Sequence, residues 1–224
     1  MKRFLTLNAL GLAFGALFLA TLGAQAVAGW HSFNDQQVAA QVGTIGLGDY
    51  VVSTDYAVAV AENWQSEFLQ FLLYLLATVW LLQQGSPESK QLDKAGLESD
   101  EDQMVGEHAR PDSPAWARAS GWRRHVYGTS LALVMGTIFV SSWLVQSVAG
   151  WAAYDEQRLQ DLRDPVDWAA YVTSADFWER TLQNWQSEFL AVGAMAVFSI
   201  YLRQRGSSQS KPTGAPHAAT GIEG

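Results

Sequence analysis

The 224-residue sequence contains no cysteine, which excludes disulfide bonds, thiolate nucleophiles and cysteine-ligated zinc or iron–sulfur centres. Charge is also scarce, because only 16% of the residues are Asp, Glu, Lys or Arg, whereas an average soluble domain has roughly a quarter. The net charge of −8 argues against a nucleic-acid-binding surface, which needs clustered Lys and Arg. With 49% hydrophobic residues, this composition predicts a chain with apolar surroundings.

Motifs of the common enzyme classes are missing as well. The sequence has no P-loop, Gly-rich dinucleotide turn, HExxH or GxSxG, so those catalytic sites have no support. Its four histidines are scattered and offer no pair of ligands for a haem inside a helical bundle. We therefore predict a protein that is not an enzyme and has no cofactor or metal site.

A seven-residue motif occurs twice. Residues 63–69 and 184–190 both have the sequence Asn-Trp-Gln-Ser-Glu-Phe-Leu, at an offset of 121 (184 minus 63). The same offset aligns the Gly-Trp pairs at 29–30 and 150–151. Self-similarity at a fixed offset is typical of an internal repeat. We therefore predict that the chain is a tandem duplication.

Each copy contains two apolar stretches. Those at about 4–27 and 126–148 lack charge and, at 1.5 Å per residue, are long enough to cross a hydrocarbon core of about 30 Å. Those at about 64–82 and 185–202 have shorter apolar runs, so each needs part of its preceding polar motif to reach across. The predicted fold is an all-α integral membrane protein, with four transmembrane helices arranged as two tandem helical hairpins.

The first apolar stretch has a second interpretation. Lys2 and Arg3, the apolar run and Ala24-Gln25-Ala26 are also the ingredients of a cleavable secretory signal. The duplication favours a membrane helix, because the matching segment lies in the middle of the chain, where no signal peptide occurs.

Basic residues indicate the orientation of the spans. Of the 14 Lys and Arg, 11 precede the first span, lie between the second and third, or follow the fourth. Basic loops stay in the cytoplasm, which predicts that both termini are cytoplasmic and that the two hairpins enter the membrane in the same direction.

Domain boundaries follow from the repeat and from composition. The predicted hairpins cover 1–86 and 124–207. The intervening segment 87–123 and the tail 208–224 are poor in large apolar residues, so we predict a disordered cytoplasmic linker and tail. The predicted partners are the lipid bilayer and, through self-association or hetero-association, other membrane proteins; nucleic acid is not among them.

Ionisable groups in membrane spans are costly and are functional candidates by default. The two motifs contain Glu67 and Glu188, and polar side chains at a comparable depth complete a candidate cluster: Asn63, Asn184, Gln25 and Gln146. One interpretation is a hydrogen-bonded clamp that holds the hairpins together. The other is an ion, proton or ligand site.

Aromatic residues mark the predicted span ends. Four tryptophans are candidate interface anchors, with ligand stacking as the alternative: Trp30, Trp64, Trp151 and Trp185. Ser53 or Asp55, and Ser174 or Asp176, are candidate N-caps of helices that run into the second and fourth spans.

The repeated Gly-Trp, the seven-residue motif and Gly85-Ser86-Pro87-Glu88-Ser89-Lys90 resemble an uncharacterised family of small bacterial membrane proteins, a domain of unknown function. The resemblance implies a location in the bacterial inner membrane and four spans, but no activity. The leading hypothesis is a structural or partner-binding membrane protein. The alternative is a small ion- or proton-coupled transporter or channel subunit that uses Glu67 and Glu188.

Overall fold

The computed structural model describes residues 2–222, and within this range the chain is helical and contains no strand. In chain order the helices are α1 (Lys2–Leu7), α2 (Ala9–Ala39), α3 (Leu47–Val51), α4 (Thr54–Trp80), a 3₁₀ turn (Gly106–His108), α5 (Trp122–Gly128), α6 (Ser130–Gln160), α7 (Trp168–Val172) and α8 (Ala175–Tyr201). The all-helical part of the fold prediction is confirmed.

The helix bounds recur at the spacing of the sequence duplication. Adding 121 to the first and last residues of α2, α3 and α4 gives the first and last residues of α6, α7 and α8. Similar local sequences have similar capping and turn preferences, so equal helix lengths at both positions are the expected result.

Two helices, α2 and α6, are long and apolar enough to cross a membrane. Only 6% of the most apolar stretch of α2 and 17% of that of α6 are buried, so neither resembles the interior helix of a soluble core. The expected number was four. Helices α4 and α8 are 27 residues long but are not among the helices apolar enough to cross a membrane. Each carries the polar motif beside its apolar run.

The apolar helices continue well past their predicted ends. Both α2 and α6 extend 12 residues further (39 minus 27; 160 minus 148). Each ends where a residue adopts a left-handed conformation, Gln41 with φ of 59° and Leu162 with φ of 58°. The next backbone N–H, of Val42 and Arg163, donates to a carbonyl of the last helical turn, which is the pattern of a C-terminal cap that usually has glycine at the left-handed position.

The predicted starts of α4 and α8 are confirmed, and the structure selects serine as the cap. The Ser53 hydroxyl accepts a hydrogen bond from the N–H of Tyr56, and Ser174 accepts one from Phe177, both at 3.3 Å. A side-chain oxygen at this position satisfies an N–H that has no partner inside the helix.

Two compact units divide the chain: Met1–Ala61 with Leu144–Phe177, and Glu62–Trp143 with Trp178–Gly224. We call them the first and second compact units. Each combines segments from both sequence copies, so the units do not follow the copy boundaries. The predicted division at 1–86, 87–123, 124–207 and 208–224 stays a prediction.

In the first compact unit, the ends of α2 and α6 hold the segment that follows them. Trp30 donates its indole N–H to the carbonyl of Ile45, and Trp151 does the same to Val166, both at 2.7 Å. The N–H of Ile45 donates to Asn34 Oδ1 at 2.9 Å. Asp155 Oδ1 accepts the corresponding bond from Val166 at 2.9 Å.

Tyrosines of α3 and α7 pack against the backbone of α2 and α6. The rings of Tyr50 and Tyr171 are buried, and their hydroxyls lie so close to Gly29 and Gly150 that a Cβ at either glycine would overlap them. Burial raises the pKa of the Tyr50 hydroxyl, and the nearby carboxylate of Asp55 raises it further. Glycine at the helix position therefore permits the ring to seat against the helix backbone.

In the second compact unit, the tail contacts the segment that follows α4. The Lys211 ammonium is buried and donates to the carbonyls of Gly85 at 2.5 Å and His217 at 2.8 Å. Its burial lowers the pKa of the ammonium. The structure shows one arrangement of these residues; disorder of the linker and tail in solution stays a prediction.

Candidate functional site

Polar side chains meet between α4 and α8 in the second compact unit, beside the repeated motif. We call this set the α4–α8 junction; it comprises Glu62, Gln65, Ser66 and Glu67 of α4 and Arg180, Trp185 and Glu188 of α8. Glu62 lies about one turn before Gln65 and Ser66 on α4, and Trp185 lies about one turn before Glu188 on α8, so these pairs lie on shared helix faces. The central hydrogen bond of the junction uses different positions of the repeated motif on the two helices, Gln65 on α4 and Trp185 on α8.

The centre of the junction is a buried amide. Gln65 is 0% exposed, and its Oε1 accepts a hydrogen bond of 2.7 Å from the indole N–H of Trp185. Its Nε2 is buried and has no hydrogen-bond partner within residues 2–222. Because a buried polar group is costly unless it is bonded, the Trp185 bond is the contact on which this position depends.

One helical turn further along α8, the Glu188 carboxylate faces α4. It lies close enough to the Ser66 hydroxyl and the Glu67 carboxylate of α4 to interact electrostatically with both. The single proton of the Ser66 hydroxyl is donated to the carbonyl oxygen of Asn63 at 3.0 Å.

An ion pair forms the other end of the junction. Arg180 Nη1 lies 3.2 Å from Glu62 Oε1, and the Glu62 side chain is 16% exposed while that of Arg180 is 44% exposed. Partial exposure weakens the attraction between the charges, so we assign this pair a small stabilising role.

Tryptophans of α6 and α8 surround the indole of Trp185. The ring centroid of Trp143 is 5.7 Å from that of Trp185 and 6.2 Å from that of Trp178. Such edge and tilted contacts between aromatic rings are stabilising. They fix the indole whose N–H reaches Gln65.

The six predicted cluster residues fall into both compact units. Gln25 and Gln146 belong to the first, and the other four, Glu67, Glu188, Asn63 and Asn184, belong to the second. Within the second, the carboxylates of Glu67 and Glu188 are close enough for their charges to interact. Asn184 instead donates to the carbonyl of Arg180 in its own helix at 3.0 Å. A cluster of all six residues stays a prediction.

The four predicted anchors differ in what their indoles do. Trp30 and Trp151 bond to backbone carbonyls, and Trp185 bonds to Gln65. Trp64 is 40% exposed, as an indole at a membrane interface would be. Their role as interface anchors stays a prediction.

Sequence reasoning missed Gln65, Ser66 and Arg180. Gln65 and Ser66 lie inside the repeated motif, which drew attention to Glu67 alone because that residue is ionisable. The sequence feature that could have identified Arg180 is the absence of other basic residues around it, since the nearest ones are Arg163 and Arg203. An isolated arginine beside a predicted span needs an acidic partner, and Glu62 of the other copy supplies it.

Fold and site together define an all-helical protein with two helices apolar enough to cross a membrane. Residues 1–222 match the family described as a domain of unknown function, DUF6766, and the chain belongs to this family. Neither a curated protein nor a solved structure matches the chain.

Proposed function

We propose that the chain is a non-enzymatic integral membrane protein of the bacterial inner membrane with a structural or partner-binding role. In this proposal α2, α4, α6 and α8 all cross the membrane as two repeated hairpins, and both termini are cytoplasmic. The observation that carries the structural role is the α4–α8 junction, where polar groups of the two helices bond to each other. Lipid and other membrane-protein subunits are the proposed partners, and nucleic acid is not.

Polar contacts between helices support this role. A hydrogen bond between Gln65 and Trp185 and an ion pair between Glu62 and Arg180 join α4 to α8. In an apolar solvent, helices associate through packing and interhelical hydrogen bonds. The junction therefore has the composition expected of a contact that holds a membrane bundle together.

The outer faces of α4 and α8 support four spans. A 27-residue helix is about 40 Å long, which exceeds the hydrocarbon thickness of about 30 Å. Large apolar residues are exposed along both helices: Phe71, Leu73, Leu76 and Trp80 on α4, and Phe189, Leu190, Val197 and Phe198 on α8. Exposed apolar faces of this extent favour contact with lipid.

Single-cysteine labelling tests the topology without background, because the chain has no cysteine of its own. Gln41→Cys and Asp161→Cys place a thiol after α2 and α6, and Glu101→Cys places one between the hairpins. A membrane-impermeant maleimide added to intact cells should label the first two variants and not the third. Labelling of only one of the first two variants would contradict the parallel hairpins.

A second candidate function is ion- or proton-coupled transport through Glu67 and Glu188. The observation that favours it is the electrostatic interaction between two carboxylates of different helices. Proteoliposome flux of the wild type, Glu67→Gln and Glu188→Gln should separate the two functions. A flux that both variants abolish without loss of thermal stability supports transport, whereas loss of stability alone supports the structural role.

A further inference from the structure

A cavity opens between α4 and α8 in the second compact unit, one turn beyond the α4–α8 junction. Its volume is about 240 Å³, and its walls include Gln70, Phe71, Tyr74, Glu88 and Met195. A second cavity of about 170 Å³ shares Tyr74 and Glu88 with the first. Tyr74 and Glu88 therefore line both cavities, whose walls are mostly apolar.

The polar atoms at this cavity include acceptors that need a donor. The Tyr74 hydroxyl donates to Glu88 Oε2 at 2.5 Å, so one carboxylate oxygen is held in place. Within residues 2–222, no basic side chain lies within salt-bridge distance of Glu88. Gln70 Oε1 is buried and has no hydrogen-bond partner in the same part of the chain.

A half-buried carboxylate among apolar walls favours a cation. A divalent metal ion fits poorly, because it needs several oxygen ligands and the described residues contain no group of three or more metal-ligating His, Asp or Glu side chains. A primary ammonium fits better: it presents three N–H donors, and its carbon chain suits the apolar walls. The rings of Phe71 and Tyr74 also attract a cation placed over their faces.

We propose that this cavity binds a small molecule or lipid headgroup through a primary ammonium group. Glu88 supplies the charge, and Gln70 supplies an acceptor after rotation of its amide about the broad terminal torsion. The ammonium could belong to a soluble alkylamine or to an aminophospholipid. The proposal does not depend on how many helices cross the membrane.

Glu88→Gln is the decisive variant, because it removes the charge and keeps an acceptor for Tyr74. Position 88 corresponds, at the offset of 121, to Gln209, so this side chain already occurs in the other copy. Glu107→Gln is the matched control: the Glu107 side chain is 87% exposed, and the variant changes the net charge by the same amount. Gln70→Leu tests the second acceptor.

The measurement is binding to the purified full-length protein in detergent, by thermal unfolding with butylamine and by native mass spectrometry with phosphatidylethanolamine or phosphatidylglycerol. We expect saturable binding of butylamine, of phosphatidylethanolamine, or of both, and none specific to phosphatidylglycerol. Glu88→Gln should weaken it about tenfold or more, and Glu107→Gln should not. Binding to the amine alone identifies a soluble ligand, and binding to phosphatidylethanolamine alone identifies a lipid.

Three results would overturn the proposal. The first is that neither primary amine binds to the wild type. The second is that Glu88→Gln binds as tightly as the wild type. The third is that phosphatidylglycerol binds as tightly as phosphatidylethanolamine and competes with it. Should Glu88→Gln fail to fold, Gln70→Leu tests the cavity with the carboxylate intact: weaker amine binding supports the proposal, and unchanged binding overturns it.

Discussion

Residues 63–69 of α4 and residues 184–190 of α8 have identical side chains, yet the structure surrounds them differently. Gln65 and Ser66 are buried, while Gln186 and Ser187 are exposed. The tryptophans show the reverse, since Trp64 is exposed and Trp185 is half-buried. One copy of the motif therefore supplies the acceptor of the central hydrogen bond, and the other supplies the donor.

This difference teaches how two identical motifs form an unequal contact. Two helices that carry the same motif can face each other through different residues, so the Gln and Ser positions of the motif each have one copy buried in the contact and one exposed. The outer copy then tolerates changes that the inner copy does not. Identical variants at matched positions therefore test the arrangement directly, with sequence neighbours held constant.

The largest difference is expected for Gln65→Glu against Gln186→Glu. At position 65 the new carboxyl enters a site with no exposure, and we expect a loss of about 3 kcal/mol or more in the free energy of unfolding. An ionised carboxylate is costlier to bury than a neutral carboxyl, so the loss should be larger at pH 8 than at pH 5.

Gln186→Glu places the same charge on an exposed position, and its effect should stay within about 0.5 kcal/mol. Denaturant titration in mild detergent at pH 5 and pH 8 measures both variants. Equal losses at the two positions would show that the motifs have equivalent surroundings and would remove the basis of the comparison.

A smaller difference is expected for Trp185→Phe against Trp64→Phe. Without the indole N–H, Gln65 Oε1 loses its donor inside the protein, which costs about 1–3 kcal/mol. Trp64→Phe alters an indole that is 40% exposed and should cost less. The double variant Gln65→Leu/Trp185→Phe removes both polar partners, so its cost should fall below the sum of the two single losses. Strict additivity would show that the hydrogen bond is absent.

Much of the local structure was predictable from particular residues. Ser53 and Ser174 marked the starts of α4 and α8, and the offset of 121 predicted matching elements in each copy. The ends of α2 and α6 were not predicted, because the apolar runs stop near 27 and 148 while the helices continue through polar residues. Polar residues such as Gln and Arg form helices readily, so hydropathy alone places these ends too early.

The inner face of the motif was beyond sequence reasoning for a different reason. Gln65 and Gln186 have the same two residues before them and the same four after them, so the motif itself does not distinguish the buried amide from the exposed one. Burial at these positions depends on which helix face meets α8 or α4. That choice is a tertiary property, and only the packing of the two helices determines it.

The smallest difference is expected for Ser66→Ala against Ser187→Ala. Both hydroxyls bond to a carbonyl in their own helix, at 3.0 Å for Ser66 and 2.8 Å for Ser187, so this contact cancels in the comparison. What remains is the difference in surroundings, because Ser66 is buried and lies near the Glu188 carboxylate whereas Ser187 is exposed. A hydroxyl that interacts with a charged group contributes at most about 1.5–3 kcal/mol, and the Ser66 proton is donated to the Asn63 carbonyl, so we expect a net difference of about 1 kcal/mol. Denaturant titration of Ser66→Ala in a Glu188→Gln background isolates the interaction with the carboxylate, since the difference between the serines should shrink there. A difference that persists unchanged would show that Ser66 contributes through packing rather than through the carboxylate.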